Sequence, residues 1–342
     1  MGVGNPYKDE KGHYTSKEND GGTCHHTGSK SSVETPKNDY TGILDIDWQD
    51  KQKKATDEFK KMNEELDFPT SLEAAKRFTG LSSKWKMSDE EIAAAKKIIG
   101  GDLTVENINK WIDERQEKQK IYEKTRPSTD TIETPEREQM RKKWVQEQFD
   151  QQRAKRDIKH DKIALITLGN AGSGKSSAGG KTFLNQYGAY EVDPDEFKKM
   201  IPEYQQDADM VGVVHRESSN LARDFMDQAI EEGANIFFPT TGSNQAKLMK
   251  NIEKLKNAGY QVYVDYIDLD IEENIVRTKT RALSTGRYTT SGVIGGSYKE
   301  VRNLFDNKLK KSKLIDGYRL WDNNKGPKIV EKGGKELWNI GI

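Results

Sequence analysis

The feature that most constrains this chain is a glycine-rich loop, Gly169-Asn-Ala-Gly-Ser-Gly-Lys-Ser176, which directly follows the apolar run 163–168. The loop fits the pattern G-x-x-x-x-G-K-[S/T], in which backbone N–H groups at a helix N-terminus surround bound phosphates. Such an apolar run is typical of a strand buried on both faces, and a helix is predicted to begin at Lys175. The sequence therefore predicts a strand, a loop and a helix that together bind a nucleoside triphosphate.

Within the loop, the residue types predict separate roles. Lys175 would reach the β- and γ-phosphates, and the hydroxyl of Ser176 would ligate Mg²⁺, so the predicted cofactors are ATP or GTP with Mg²⁺. A chance glycine-rich loop is the alternative interpretation, and the strand-like run before the loop disfavours it. The predicted nucleotide contacts are Gly169, Asn170, Ala171, Gly172, Ser173, Gly174, Lys175, Ser176 and Ser177.

Beyond the loop, strand-like and helix-like segments alternate. Predicted strands cover 190–193, 235–238 and 262–267, and predicted helices cover 218–232 and the stretch with Leu248, Ile252 and Leu255. Alternation of this kind produces βαβ crossovers and a parallel sheet. The predicted fold class is therefore α/β, with helices on both faces of the sheet.

The chain divides into three predicted regions. Residues 1–40 contain almost no aliphatic side chains, so they cannot offset their chain entropy and we expect a disordered tail. Residues 41–157 are predicted to be a mostly helical region of unknown role. The catalytic domain is predicted to occupy 158–342.

Local signals mark the ends of helices in the second region. Gly100 is predicted to end one helix, and Thr134 is predicted to cap another that has Pro135 at its first position. The charged stretch 136–159 has few apolar residues, so we predict an exposed helix that leads into the catalytic domain.

Composition excludes several classes of protein. Lys and Arg total 56 and Asp and Glu total 56, and this balance argues against a protein that coats nucleic acids. The single cysteine, Cys24, excludes an internal disulfide and fits a reducing cytosol. His25 and His26 follow it without a second ligand pair at zinc spacing, which favours a tail over a metal site. No apolar run of about 18 residues and no signal-peptide pattern occur, so we expect a cytoplasmic protein without a membrane span.

Two aspartates follow the second predicted strand. Open α/β sheets bind ligands at the carboxyl ends of their strands, so Asp193 and Asp195 are expected to face the nucleotide. A kinase needs one carboxylate to accept the proton of the acceptor hydroxyl and another acidic group near the metal. Asp195 suits the first role and Asp193 the second. The alternative interpretation is that they are solvated acids or helix N-caps.

Three arginines follow the fourth predicted strand. Arg277 and Arg281 are i, i+4 neighbours on one helix face, and Arg287 follows the helix-ending Gly286. Guanidinium groups here could neutralise charge on the transferred phosphoryl group, and a solvated basic face is the alternative. His215 is a candidate substrate contact, with capping or packing as the alternative role.

Taken together, residues 160–335 resemble the zeta toxin family of P-loop kinases. The matching motifs are the phosphate loop, Val192-Asp-Pro-Asp-Glu-Phe-Lys-Lys-Met-Ile-Pro202, His215-Arg-Glu-Ser-Ser219, Phe237-Phe-Pro-Thr-Thr-Gly242, the arginine-bearing helix with Thr285-Gly-Arg287, and Tyr318-Arg-Leu-Trp-Asp-Asn-Asn324. The resemblance implies a P-loop kinase-like fold and phosphate transfer from ATP to the 3′-hydroxyl of UDP-N-acetylglucosamine-type sugars. It also implies action in the cytoplasm of a bacterial host and an antitoxin as a candidate partner.

The resemblance further implies roles for single residues. Asp195 matches the catalytic base, Arg277 and Arg287 match phosphate-contacting arginines, and Thr241 matches a substrate-side threonine, with His215 and Arg281 as further candidate substrate contacts. The chain departs from the family at the end of the third predicted strand. Pro239 and Thr240 stand where the family has an acidic residue that helps to hold the sugar. The departure bears on the identity of the acceptor more than on nucleotide binding.

Other interpretations stay open on the sequence alone. The acceptor could be another small molecule or a nucleic-acid end, the P-loop could serve a virion protein without catalysis, or the helical region could be an antitoxin-like inhibitor fused in cis. Residues 5–16 resemble a short signature of tailed-phage head and packaging proteins. That resemblance implies a phage-encoded, virion-associated protein with a phage head protein as a candidate partner.

Overall fold

The computed structural model describes residues 89–336, except 272, 275, 276, 279, 280 and 283–290. The predicted tail 1–40, the first part of the predicted helical region and the motif at Cys24 therefore lie outside the described residues. The strands are β1 Ile163–Leu168, β2 Tyr190–Glu191, β3 Ile236–Thr240, β4 Gln261–Asp268, β5 Gly317–Asp322 and β6 Lys328–Gly334.

The six strands form one mixed sheet in the order β2-β3-β1-β4-β5-β6. The first five strands are parallel, and β6 pairs with β5 in the antiparallel direction. The strand before the phosphate loop, β1, lies in the middle, so the loop emerges between the carboxyl ends of β3 and β4. This is the P-loop kinase-like arrangement, and it confirms the predicted α/β class.

Helices cover the sheet, and three of the described helices precede its first strand in the sequence. They are α1 Asp89–Ile99, α2 Val105–Thr125, α3 Pro135–Lys155, α4 Lys181–Gln186, α5 Pro194–Lys198, α6 Pro202–Gln206, α7 Val211–Glu231, α8 Gln245–Asn257 and α9 Ser291–Asn307. Further described helical residues lie between 271 and 282. Across the described residues, none of the helices combines the length and the apolar character that crossing a lipid bilayer requires.

The helix predicted to begin at Lys175 is interrupted. The segment Ser176–Gly180 is irregular, and a regular helix begins only at Lys181. Gly179 has a φ of 93°, which breaks the helical backbone. A Cβ at Gly180 would lie 2.6 Å from Phe237 Cζ, so this backbone packs directly on β3. The Gly-Gly pair thus bends the chain onto the sheet.

The helix predicted over 218–232 begins earlier, at Val211. A 3₁₀ turn, Ala208–Met210, leads into it, and the carboxylate of Asp207 accepts a hydrogen bond from the Asp209 backbone N–H at 3.0 Å. This capping turn supplies a start signal upstream of the apolar stripe, so α7 gains two extra turns.

Helix α3 begins as predicted but is not the exposed helix that its charges indicated. Thr134 Oγ1 accepts a hydrogen bond from the Arg137 backbone N–H at 3.2 Å, and Pro135 occupies the first position. Trp144 and Phe149 are buried in the main core, where the Phe149 ring lies 4.2 Å from that of Phe225 on α7. Trp144, Val145 and Phe149 lie on one face of the helix and are buried, so α3 is part of the core.

A buried ionic cluster joins α3 to α7. Arg137 donates to Glu217 from Nε at 2.9 Å and from Nη2 at 2.6 Å, and Arg141 Nε adds a third bond at 2.7 Å. Only 1% of Glu217 is exposed. Burial alone would raise the pKa of Glu217, but the hydrogen bonds from Arg137 and Arg141 hold it below its ordinary value.

A second, smaller apolar cluster lies at the N-terminal helices. It contains Ala95, Ile108, Trp111, Ile112 and Ala282. Ala282 follows directly after Arg281, so α1 and α2 share this cluster with the arginine-bearing segment.

The C-terminal half of α2 forms ion pairs with the turn that precedes α7. Arg115 Nη2 lies 2.9 Å from Asp209 Oδ1, and Lys118 Nζ lies 2.6 Å from Asp207 Oδ2. The Tyr122 hydroxyl donates to Asp207 at 2.9 Å. One helix therefore contacts both the 282 segment and the turn before α7.

Asn235 fastens the amino-terminal edge of the sheet and is fully buried. Its Oδ1 accepts from the backbone N–H groups of Asp161 and Ile163, at 3.2 and 3.0 Å. Its Nδ2 donates to Asp161 Oδ2 at 3.0 Å and to the Tyr187 carbonyl at 2.7 Å. One side chain thus joins the segments that precede β1, β2 and β3.

Candidate active site

The phosphate loop adopts an open backbone turn at the carboxyl end of β1. Gly169, Gly172 and Gly174 have φ values of 149°, 83° and 89°, which residues with a Cβ rarely adopt. Space is also limiting, because a Cβ at Gly172 would lie 2.8 Å from Thr278 Oγ1. All three glycines are thus required by their backbone conformation, and Gly172 also by the close approach of Thr278 and Asn274.

Lys175 folds back over the loop. Its Nζ donates to the carbonyl oxygens of Gly169 at 2.8 Å and Asn170 at 2.9 Å. Burial lowers the pKa of Lys175 to about 8, and the nearby charge of Arg281 adds to this. The ammonium group is therefore enclosed by the loop. Ser176 and Ser177 follow it and are exposed.

The two aspartates lie after β2, on α5 and its cap. Asp193 is the N-cap, and its Oδ1 accepts from the Asp195 backbone N–H at 2.9 Å, so the capping interpretation holds for this residue. Asp195 Oδ1 accepts from Lys198 Nζ at 3.0 Å. Both carboxylates act against the lowering of the Lys175 pKa, which puts them within electrostatic reach of the loop.

Arg277 lies beside the loop as well. Its Nη2 donates to the Asn323 carbonyl at 3.3 Å, and its Nε donates to Glu273 Oε1 at 2.9 Å. A Cβ at Gly174 would lie 3.9 Å from Arg277 Nη1. Arg287 lies outside the described residues.

His215 and Thr241, two of the predicted substrate contacts, lie on α7 and directly after β3. His215 is in the second turn of α7 rather than at its start, and part of its surface is exposed. Displacement of water by the surrounding protein lowers the pKa of His215, and the charges of Lys198 and Lys247 lower it further. Thr241 follows β3, and its Oγ1 lies 3.0 Å from Ser243 Oγ.

Two residues at the site lie in motifs of the resemblance, but the sequence alone predicted no role for them. Lys198 pairs with Asp195, and the i, i+3 spacing on a predicted helix was an available signal. Asn323 comes after β5, and its Nδ2 donates to the Ser173 carbonyl at 2.7 Å. The two residues are 150 positions apart in sequence, so the motif at 318–324 could not predict this contact.

Magnesium fits the donors at this site. Mg²⁺ bound with a nucleotide needs one or two oxygen ligands from the protein and otherwise takes phosphate oxygens and water. Ser176 offers a hydroxyl at the loop end, and Asp193 offers a carboxylate within electrostatic reach of the neighbouring Lys175. Within the described part of the chain, no group of three or more His, Cys, Asp or Glu residues forms a separate metal site.

Comparison with known proteins identifies a family for more than half of the chain. The sequence model of the zeta toxin family matches residues 146–331. No curated protein sequence matches the chain.

Several solved structures are similar in fold. The AvrRxo1-ORF1:AvrRxo1-ORF2 complex with sulphate ions has a TM-score of 0.47 and 20% identity, over 60% of this chain and 69% of that one. The same complex with ATP has a TM-score of 0.46 and 21% identity, over 58% and 68%. A structure from the PezAT chromosomal toxin-antitoxin system of Streptococcus pneumoniae has a TM-score of 0.48 and 17% identity, over 59% and 84%.

Proposed function

This chain belongs to the zeta toxin family, and from that premise we propose that it transfers the γ-phosphoryl group of ATP to a hydroxyl of a small acceptor. The observation that carries the proposal is the grouping of Lys175, Asp193 and Asp195 around a glycine-rich loop at the carboxyl end of β1. A phosphate loop alone would also suit a hydrolase, and the carboxylate on α5 favours a kinase.

In this proposal the loop binds the triphosphate through its backbone N–H groups. Lys175 exchanges its two loop carbonyls for the β- and γ-phosphate oxygens, and Arg277 neutralises charge on the transferred group. Ser176 and Asp193 would hold Mg²⁺, which when bound supplies positive charge to the phosphate oxygens.

Asp195 is the proposed catalytic base. Its carboxylate accepts the proton of the acceptor hydroxyl as the hydroxyl oxygen bonds to the γ-phosphorus, and ADP leaves with the electrons of the broken P–O bond. Lys198, at 3.0 Å, orients this carboxylate. The base acts on the acceptor, so its loss is expected to spare ATP binding.

A UDP-amino sugar is the proposed acceptor, since family membership favours it. The neighbouring cations Lys198 and Lys247 are compatible with an acceptor that carries phosphate groups. Pro239 and Thr240 at the end of β3 remove the acidic sugar contact of the family, and this favours a different sugar or another small-molecule acceptor as the second candidate.

An antitoxin is the proposed protein partner, because a cell that makes a toxic kinase needs an inhibitor of it. The cytoplasm of a bacterial host is the proposed place of action, because ATP and nucleotide sugars are found there. A phage head protein stays a second candidate partner, motivated by the signature at residues 5–16, which lies outside the described residues.

The test is a phosphotransfer assay with the full chain. ATP and Mg²⁺ are incubated with UDP-N-acetylglucosamine, other nucleotide sugars and a 5′-hydroxyl oligonucleotide, and mass spectrometry detects the gain of one phosphoryl group. We expect transfer to a nucleotide sugar, and a loss of at least about a hundredfold in Asp195→Asn, with ATP binding retained in calorimetry.

Glu196→Gln is the matched control, because it removes a carboxylate one residue away that pairs with Lys199 on the exposed side of α5. We expect it to keep normal transfer. Full activity of Asp195→Asn would remove the assigned base. ATP binding by the wild type without transfer to any acceptor would favour a non-catalytic nucleotide-binding protein.

A further inference from the structure

The phosphate loop can bind anions only if its backbone N–H groups point toward the binding site. In a trans peptide, the carbonyl of one residue and the N–H of the next point in opposite directions. A loop that presents N–H groups to phosphate must therefore hold the preceding carbonyls outward. Buried carbonyls that point outward need hydrogen-bond donors from the surrounding protein.

Asn323 supplies one such donor. Its Nδ2 lies 2.7 Å from the carbonyl oxygen of Ser173, the residue between the two positive-φ glycines Gly172 and Gly174. Asn323 is 3% exposed, and its own backbone N–H donates to the Asp268 carbonyl at 2.9 Å, which fixes it at the end of β4. The outward carbonyl of Ser173 turns the N–H of Gly174 toward the inside of the loop.

Thr278 supplies a second donor from a different element. Its Oγ1 donates to the Ala171 carbonyl at 3.2 Å, and the side chain is fully buried. The outward carbonyl of Ala171 turns the N–H of Gly172 inward by the same geometry. Asn323 and Thr278, which belong to different elements, thus each hold one peptide group of the loop.

We infer that Asn323 and Thr278 are positioning residues that set two loop N–H groups for phosphate binding. The Asn323 carbonyl also accepts from Arg277 Nη2 at 3.3 Å, so Asn323 joins the loop to an arginine of the proposed phosphotransfer site. The inference rests on the proposed function, since it names how that site is kept ready for a polyphosphate.

The test compares ligand affinity with fold stability in the full chain. Asn323→Asp keeps the shape but replaces the donor with an oxygen, and Thr278→Val keeps the shape without a hydroxyl. Calorimetry with ATP·Mg²⁺ and with tripolyphosphate should show a Kd raised about tenfold or more in Asn323→Asp and about fivefold in Thr278→Val. The losses should match for the two ligands, because the two N–H groups face phosphate only.

Asn303→Asp is the control, since Asn303 is exposed on α9 and its Oδ1, which accepts from Asn307, is preserved. Its Kd should stay within about twofold of the wild type. Thermal unfolding without ligand separates the roles: unchanged Kd values with a lowered midpoint would make both residues structural and overturn the inference. If Asn323→Asp does not fold, the Kd and the unfolding midpoint of Thr278→Val are compared in the same way, and they test the inference alone. Absence of ATP binding by the wild type would overturn the proposed function itself.

Discussion

At the scale of single residues, the environment of Lys175 determines how readily its ammonium group loses a proton. Its ammonium group is enclosed by the loop and bonded to two carbonyls of that loop. Enclosure disfavours the charged form, and this lowers the pKa of Lys175 to about 8. A polyphosphate favours the charged form, so the pKa rises again on binding.

The resulting prediction is a pH dependence of ATP affinity. Below about pH 7 Lys175 is charged with or without ligand, so affinity should not depend on its titration. Above pH 8 binding must take up a proton, and affinity should fall by up to about tenfold per pH unit. Calorimetry at pH 8.5 in two buffers with different protonation enthalpies measures this proton uptake.

Lys175→Met serves as the control for that measurement. It should bind weakly and lose the proton uptake at pH 8.5. Uptake that persists in Lys175→Met, or wild-type affinity that is flat up to pH 9.5, would contradict the assignment of this titration to Lys175.

At the scale of elements, the junction of α3 and α7 depends on a carboxylate between two guanidinium groups. Glu217 is buried, and its removal leaves the buried Arg137 with the partly exposed Glu203, 3.0 Å away, in place of two bonds to a buried carboxylate. We expect Glu217→Ala to lower the free energy of unfolding by about 3 to 5 kcal/mol in urea denaturation. Glu147→Gln, on the exposed face of α3 beside Lys143, should cost less than about 0.5 kcal/mol.

The same carboxylate links stability to pH. The pKa of Glu217 is lowered in the folded state, so its stabilisation is complete above its ordinary value of 4.5 and is lost as the pH falls below it. Wild type and Glu217→Gln should therefore differ most near neutral pH and converge in acid. A constant difference from pH 7 to pH 3 would contradict this linkage.

Elements with a strong local pattern could be predicted from the sequence. The strand 163–168 was predicted to the residue because it is an apolar run beside an unmistakable loop. The start of α7 and the broken helix after Lys175 were not, because a capping turn at Asp207 and the packing of Gly180 on Phe237 decided them. The burial of α3 was missed for a related reason: its charges are many, and its few apolar residues share one face.

At the scale of the whole molecule, the kinase-like sheet depends on chain that precedes the predicted domain boundary at 158. Trp144 and Phe149 lie in the main core, and losing Phe149 alone would cost about 3–5 kcal/mol. That is a large share of the total stability of a typical domain.

We therefore predict different behaviour for two truncated chains. A chain that begins at residue 158 should fail to unfold cooperatively by circular dichroism, because the core is open where α3 was. A chain that begins at Pro127 keeps α3 and the turn at 129–131, and it should melt cooperatively. Cooperative melting of the shorter chain would show that α3 is dispensable and would favour the boundary at 158.

The chain beginning at Pro127 also tests the proposal of an inhibitor fused in cis. It lacks α1 and α2, which share a cluster with Ala282, and it therefore also lacks the ion pairs of α2 with Asp207 and Asp209. Greater growth arrest than with the full chain at equal expression would support the proposal, and equal arrest would count against it.

Long-range partners explain what sequence reasoning missed in the site. The residue types of the loop and of Asp193 and Asp195 could be read locally. Asn323 belongs to a matching motif, but its contact with the loop and that of Thr278 could not be predicted, because both are made with carbonyl groups far away in the sequence.

The bonds of Asn235 have a mechanical consequence. This side chain clamps the segments before three parallel strands at the edge remote from the phosphate loop. Ligand binding should therefore displace the backbone less at the amino-terminal edge of the sheet, which Asn235 holds, than at the carboxyl edge, which bears the phosphate loop. Backbone amides around Ile163 should be among the last in the domain to exchange with solvent.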